Sequence, residues 1–163
     1  DSNVKILSAN TQDITEYVVG LQESNGISSS LTALPGPVTV HLACHARAQN
    51  IGPKAVEMLR LIPEVDLTVV ERCSGHGGAW GVKKGNFDTA LKVGKPAARQ
   101  AVKAAGAFVV SECPLAGEHL RQGMERMTDD SRLIKQVTHP IQLLAYAYGV
   151  EQPELRGDRF DHS

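Results

Sequence analysis

The chain has 163 residues, 42% of them hydrophobic, and its 17 basic side chains nearly balance 18 acidic ones. A chain of this length and composition forms a folded globular domain, which excludes a disordered or collagen-like protein. The charge balance gives no general attraction to nucleic acid, and no apolar stretch approaches the roughly 20 residues that a membrane span needs. No signal-like segment opens the chain, so we expect a cytoplasmic protein with neither nucleic acid nor a membrane span among its features.

The first predicted element is an amphipathic helix over residues 10–23, whose apolar side chains follow the i, i+3, i+4, i+7 rule. A loop rich in Gly, Ser and Pro follows at 25–37. Residues 38–42 are a short β-branched run, which predicts a strand. Helical spacing, with a proline in the first turn, predicts a helix at 53–62, and a second strand is predicted at 65–70.

Two separate helices are predicted at 87–93 and 96–105, because Pro96 should begin a new helix rather than lie inside one. Gly106 is a natural helix stop, and it precedes a third predicted strand at 107–110.

The last predicted helices lie at 115–127 and 140–148. We predict one domain over residues 1–163, with a loose polar tail at 150–163. Because the chain begins at Asp1 rather than Met, we expect it to be part of a longer protein.

Alternating strands and helices predict an α/β fold, a three-layer domain with a central, mostly parallel sheet of about four strands. The predicted strands are nearly continuous apolar runs, as expected when helices cover both faces of a sheet. In an open parallel sheet, ligands bind at the carboxyl ends of the strands. We therefore expect a metal-binding crevice at that edge.

The three cysteines support this expectation, because each one comes just after a predicted strand: Cys44, Cys73 and Cys113. An odd number of distant cysteines without a Cys-x-x-Cys pair excludes a disulfide framework and a thioredoxin-type dithiol. Instead, three thiols from distant parts of the chain would meet at one edge, beside helix N-termini that favour thiolate. A small buried side chain is the alternative interpretation for each cysteine taken singly.

Two histidines extend the candidate ligand set, because His45 follows Cys44 directly and His76 comes three residues after Cys73. Thiolate plus imidazole is the ligand set of zinc, iron and iron–sulfur sites. Gly75, Gly77 and Gly78 allow the unusual backbone angles that would fold His76 back over the Cys73 sulfur, so His76 ranks ahead of His45. We predict that Gly75 and Gly77 also contact the bound cofactor.

The remaining histidines are predicted to have other roles. We expect His41 to be a strand residue with a satisfied ring, His119 to lie exposed on a helix, and His139 to open the last helix. His162 belongs to the predicted tail.

Other functions remain open at this point. The glycine-rich segment 75–81 could cradle a phosphate, but no Gly-Lys-Ser/Thr follows it, and Trp80 stands where a dinucleotide fingerprint needs glycine. A Cys–His nucleophile could be formed by Cys44 with His45 or by Cys73 with His76. An assembly module whose zinc is only structural is the alternative from a different class.

Four segments together resemble a known family: HLACHARAQ, VERCSGHGGAWGVKKGNFDTA, VVSECPLAGEHL and HPIQLLAYAYG. The resemblance is to the cysteine-rich CCG domain, which occurs in heterodisulfide reductase and in anaerobic glycerol-3-phosphate dehydrogenase, and it extends over about 13–149. It implies an oxidoreductase or electron-transfer domain with an iron–sulfur cluster, whose partners are other redox domains or subunits. Thiol/disulfide chemistry is the other activity implied.

Position by position, Cys44, Cys73 and Cys113 match three of the five cysteines in the family pattern. Ser74 stands at the second position of the Cys-Cys-Gly, and Ala116 at the second position of the Cys-x-x-Cys. A non-cubane centre that needs five thiols cannot form from three. The departure leaves two options, a single iron or zinc ion held by three Cys and one His, or a cubane with one iron ligated by His, water or substrate.

Overall fold

A computed structural model describes residues 1–130 and 136–151. Four strands and seven helices are assigned within these residues. The strands are β1 Val38–His41, β2 Leu67–Val70, β3 Phe108–Ser111 and β4 Val137–Thr138. The helices are α1 Ser2–Ala9, α2 Ile14–Ser24, α3 Cys44–Ala48, α4 Lys54–Leu59, α5 Phe87–Ala104, α6 Pro114–Glu125 and α7 Pro140–Ala147.

The strands form one parallel sheet in the order β2-β1-β3-β4. His41, the last residue of β1, lies opposite Val70 on one side and Ser111 on the other. Three neighbouring strands therefore end at the same level. The order of the strands also reverses between β1 and β3, and such a reversal is where ligands bind in open α/β sheets.

Helices cover both faces of the sheet, as the three-layer prediction requires. Alternation along β1 directs Val38 and Val40 to a core that includes buried residues of α2, α4 and α7. On the other face, Val70 and Val109 pack with buried residues of α5 and α6. The predicted α/β fold class with a parallel sheet of four strands is confirmed.

The prediction of two helices on either side of Pro96 is wrong, because α5 is continuous from Phe87 to Ala104. Its buried side chains keep helical spacing on both sides of the proline, so packing against the sheet holds one helix: Ala90, Leu91, Gly94, Ala97, Ala98 and Ala101. Pro96 itself lies on the exposed side, where water can reach the Lys92 carbonyl that loses its helical hydrogen bond.

Two helices have no counterpart in the sequence prediction. The first is α1, which has no buried residue and therefore no core-facing stripe that periodicity could detect. The second is α3, whose five residues are shorter than the window that shows helical periodicity. None of the helices in the described ranges has the length and apolar character to cross a membrane. The predicted tail lies almost entirely outside the described residues.

Candidate metal centre

All three cysteines lie just beyond the carboxyl ends of three adjacent strands, a region that we call the thiol edge. Cys44 is the first residue of α3, three residues after β1 ends, and Cys113 is the N-cap of α6, two residues after β3 ends. Cys73 lies three residues after β2 ends. Since neighbouring strands are about 4.8 Å apart, the three segments leave the sheet within roughly 10 Å of one another.

The thiols are free and accessible rather than enclosed. Cys44 and Cys73 are exposed, and Cys113 is half-buried. Among residues 1–130 and 136–151, no three His, Cys, Asp or Glu side chains are grouped closely enough to hold a metal ion as they stand. The structure thus shows the three thiols on one edge, and as donors thiolates fit iron, zinc or an iron–sulfur cluster.

Buried polar side chains join the segments that carry the cysteines. The His41 ring lies 2.9 Å from the Arg72 carbonyl oxygen through Nε2, and 3.0 Å from the Ser111 hydroxyl through Nδ1. Because a carbonyl only accepts, Nε2 carries the proton and Nδ1 accepts from the hydroxyl. The sequence prediction of a strand histidine with a satisfied ring is confirmed. This ring links the ends of β1 and β3 to the residue before Cys73.

A second link crosses the point where the strand order reverses. The buried Glu112 carboxylate accepts a hydrogen bond of 3.2 Å from the Ala43 backbone N–H. Burial raises the pKa of Glu112, and that hydrogen bond opposes the rise. Glu112 precedes Cys113 and Ala43 precedes Cys44, so this contact fixes the two cysteine-bearing segments relative to each other.

The turn that carries Cys73 lies directly on α5. A Cβ at Gly75 would collide with the Ala90 carbonyl, and a Cβ at Gly94 would collide with the Ser74 carbonyl. Gly75 also has a φ of +82°, which a residue with a side chain rarely adopts. The Gly75 N–H donates to the Cys73 sulfur at 3.3 Å, the kind of contact that tunes thiolate ligands of redox centres.

The positive φ expected in the turn is therefore observed, at Gly75, Gly77 and Gly78. At Gly75 the demonstrated reason is the close approach of α5, and Gly77 faces the Trp80 ring. Contact of either glycine with a cofactor stays a prediction.

The two candidate nitrogen ligands occupy different environments. His76 is buried, and burial lowers its pKa, with the nearby His119 adding to the effect. Its Nε2 is buried without a hydrogen-bond partner. His45 is exposed on α3, next to Cys44. Consecutive helical residues point about 100° apart, so His45 and Cys44 face different directions.

His119 is not exposed on its helix, so that prediction is wrong. Only 2% of the residue is accessible, and its Nδ1 lies 2.6 Å from the Ser74 carbonyl oxygen. The spacing of the buried positions Ala116, His119 and Gly123 on α6 is the signal that could have placed it on the inner face. His139, by contrast, opens α7 as its N-cap, as predicted.

The two positions where the CCG pattern has further cysteines are both buried. Ser74 is inside the turn against α5, and Ala116 lies in the first turn of α6. Both side chains are small enough to leave these contacts unstrained.

Sequence comparison agrees with the fold and the thiol edge. The profile of the cysteine-rich domain family CCG matches residues 38–121, about half of the chain, and the match includes all three cysteines. The chain belongs to this family of cysteine-rich domains.

Three curated relatives illustrate the similarity. An uncharacterized iron-sulfur protein of Methanocaldococcus jannaschii is 34% identical over 61% of this chain and 20% of its own length. One of the proteins that make up the anaerobic glycerol-3-phosphate dehydrogenase of Escherichia coli is 33% identical over 75% of this chain and 29% of its own. Lactate utilization protein A of Lysinibacillus sphaericus is 30% identical over 53% of this chain and 38% of its own.

The chain thus spans between 20% and 38% of the length of these relatives. No solved structure shows significant similarity to it.

Proposed function

We propose that this chain is the metal-binding redox domain of a larger oxidoreductase of the heterodisulfide reductase type, and that it takes part in electron transfer or thiol/disulfide chemistry. Its cofactor would be an iron–sulfur cluster or a single iron or zinc ion. The partners would be other redox domains or subunits of the same enzyme. Free thiols fit a reducing compartment, so we place the protein in the cytoplasm.

One observation carries the proposal: the three cysteines follow three adjacent parallel strands that end at the same level. Unlinked structural cysteines have no reason to occupy equivalent positions on a sheet. In addition, two of the three are exposed, whereas a cysteine used only for packing is buried. The names of the relatives, which include an iron-sulfur protein and a component of a dehydrogenase, support a redox role.

In this proposal, Cys44, Cys73 and Cys113 hold the metal group, and His76, with His45 as the alternative, supplies a nitrogen ligand. An iron–sulfur group, when bound, supplies one-electron redox chemistry. The chain orients the ligands through His41 and Glu112, which tie the three segments together. The Gly75 N–H donates to the Cys73 sulfur and would lower the electron density on that ligand.

Anaerobic reconstitution of the chain with iron and sulfide tests the proposal. We expect iron bound to the folded protein, a visible absorption band from sulfur to iron, and a signal in electron paramagnetic resonance in one oxidation state. Each of the single variants Cys44→Ser, Cys73→Ser and Cys113→Ser should lose most of the iron.

A matched control is Glu71→Gln, which changes an exposed side chain at the same edge without touching a thiol. It should bind iron as the unaltered chain does. Zinc in place of iron in protein purified anaerobically from cells would favour a structural centre. No metal uptake, or uptake that is indifferent to the three cysteines, would refute the proposal.

A further inference from the structure

Two buried histidines lie side by side behind the Cys73 turn. His76 is 8% exposed and His119 is 2% exposed, and they come from the turn and from α6, respectively. Their ring centroids are 6.3 Å apart, with the ring planes at 64°. His119 is outside the thiol set, and no part of the proposed function uses it.

The hydrogen bonding of His119 fixes which nitrogen carries its proton. Nδ1 lies 2.6 Å from the Ser74 carbonyl oxygen, which can only accept, so Nδ1 must carry the hydrogen. In the neutral ring, Nε2 is then left with a free lone pair. Metal-binding histidines are held in this way, with one ring nitrogen donating to a carbonyl and the other facing the ion.

Both Nε2 atoms lack a hydrogen-bond partner although they are buried. A buried polar atom without a partner typically costs about 1–3 kcal/mol, so two in neighbouring rings are unusual. The Phe87 ring packs edge-on against His119 with centroids 5.8 Å apart, and it offers no hydrogen-bonding atom of its own. Something that accepts lone pairs would satisfy both nitrogens at once.

We propose that the Nε2 atoms of His76 and His119 together bind one transition-metal ion of the Zn²⁺ class. Zinc–nitrogen bonds of about 2.0–2.1 Å allow two imidazoles on one ion to have centroids up to roughly 6.4 Å apart. The observed 6.3 Å lies inside this limit. The inference shares His76 with the proposed function, and it adds His119 and a position on the buried side of the Cys73 turn.

The test uses the full chain carrying Cys44→Ser and Cys113→Ser, so that the three-thiol centre cannot form while both histidines stay intact. Zn²⁺ alone is titrated into this protein, and the imidazole nitrogens are observed by ¹⁵N NMR. We expect one ion per chain, with the Nε2 resonances of His76 and His119 shifting together. The resonances of His41 and His139 should stay in place.

A variant then measures the contribution of His119. His119→Gln in the same background should weaken zinc binding at least about tenfold, the least that losing an outer partner of a metal ligand typically costs. His139→Gln, at a half-buried helix cap, should leave the affinity unchanged. Circular dichroism checks that both variants are folded, and the NMR titration stands on its own if His119→Gln is not.

Three results would overturn the inference. The first is zinc that shifts neither ring, as when water alone bridges the nitrogens. The second is zinc that shifts His76 but not His119. The third is full affinity in folded His119→Gln. The proposed function is judged on a separate sample, the chain with all three cysteines and iron, so the two can fail independently.

Discussion

His41 is the single side chain that contacts the most parts of the thiol edge, since it is bonded to β3 and to the residue before Cys73. Burial is the main cause that lowers its pKa, Arg47 adds to the effect, and the bond to Arg72 opposes it. A histidine with a lowered pKa in the folded state takes up its proton more readily after unfolding. Its contribution to stability is full above the unfolded value of about 6.5 and is lost as the pH falls below it.

We therefore expect the free energy of unfolding to fall between about pH 7 and pH 5, and the fall to be shallower in His41→Gln. At pH 7 the variant should be less stable by about 1–3 kcal/mol, because Ser111 and Arg72 lose a well-placed partner. Urea unfolding followed by circular dichroism at several pH values measures both effects. The raised pKa of Glu112 acts in the opposite direction, but it is common to both proteins and cancels in the comparison. Equal slopes in the two proteins would contradict this account.

At this scale the sequence predicted the cysteines better than the histidines. A cysteine after each strand is visible as a pattern, because strand ends can be located from short β-branched runs. The environment of His119 depends on α6 packing against the turn after β2, with Ser74 and His119 45 residues apart in the chain. Only the helical spacing of Ala116 and Gly123 hinted that this histidine faces inward.

Among the elements, α5 does the most to position the site, because the Cys73 turn rests on its backbone. Sequence reasoning divided this helix at Pro96, since local preference alone argues for a break there. The unbroken stripe of small buried residues outweighed that preference. Strands β1, β2 and β3 were predicted within two residues, as expected for continuous apolar runs between loops. The two residues of β4 give no comparable pattern.

Gly94 on α5 should be intolerant of any side chain. Gly94→Ala would drive a methyl group into the Ser74 carbonyl, so the Cys73 turn must shift. We expect a loss of about 2–4 kcal/mol in the free energy of unfolding, together with weaker metal binding at the thiol edge. Calorimetry and metal analysis on the same samples measure the two effects.

Gly20→Ala in α2 is the matched control, since a Cβ there meets no atom within 4 Å. Alanine favours a helix over glycine, so this variant should be slightly more stable than the unaltered chain. A Gly94→Ala protein as stable as Gly20→Ala would show that the turn does not depend on contact with α5.

For the molecule as a whole, folding and metal binding draw on different residues. The two cores on either face of the sheet contain none of the three cysteines. The layered fold was predictable because periodicity reports which side chains are buried. The closeness of side chains at the thiol edge was not, because it depends on loop conformations such as that of Gly75, which no periodic pattern encodes.

This separation predicts that the domain folds without metal. The triple variant Cys44→Ser, Cys73→Ser, Cys113→Ser replaces two exposed side chains and one half-buried side chain. Its free energy of unfolding should stay within about 2 kcal/mol of the metal-free unaltered chain, since substitutions outside a core rarely cost more. Urea denaturation followed by far-ultraviolet circular dichroism compares the two, and a single shared transition is expected. A triple variant that is unfolded, or a metal-free chain that folds only when iron or zinc is added, would instead mean that metal binding supplies the folding free energy, as it does in zinc fingers. In that case the two cores are too small to hold the sheet by themselves, and the thiol edge is part of what stabilises the fold.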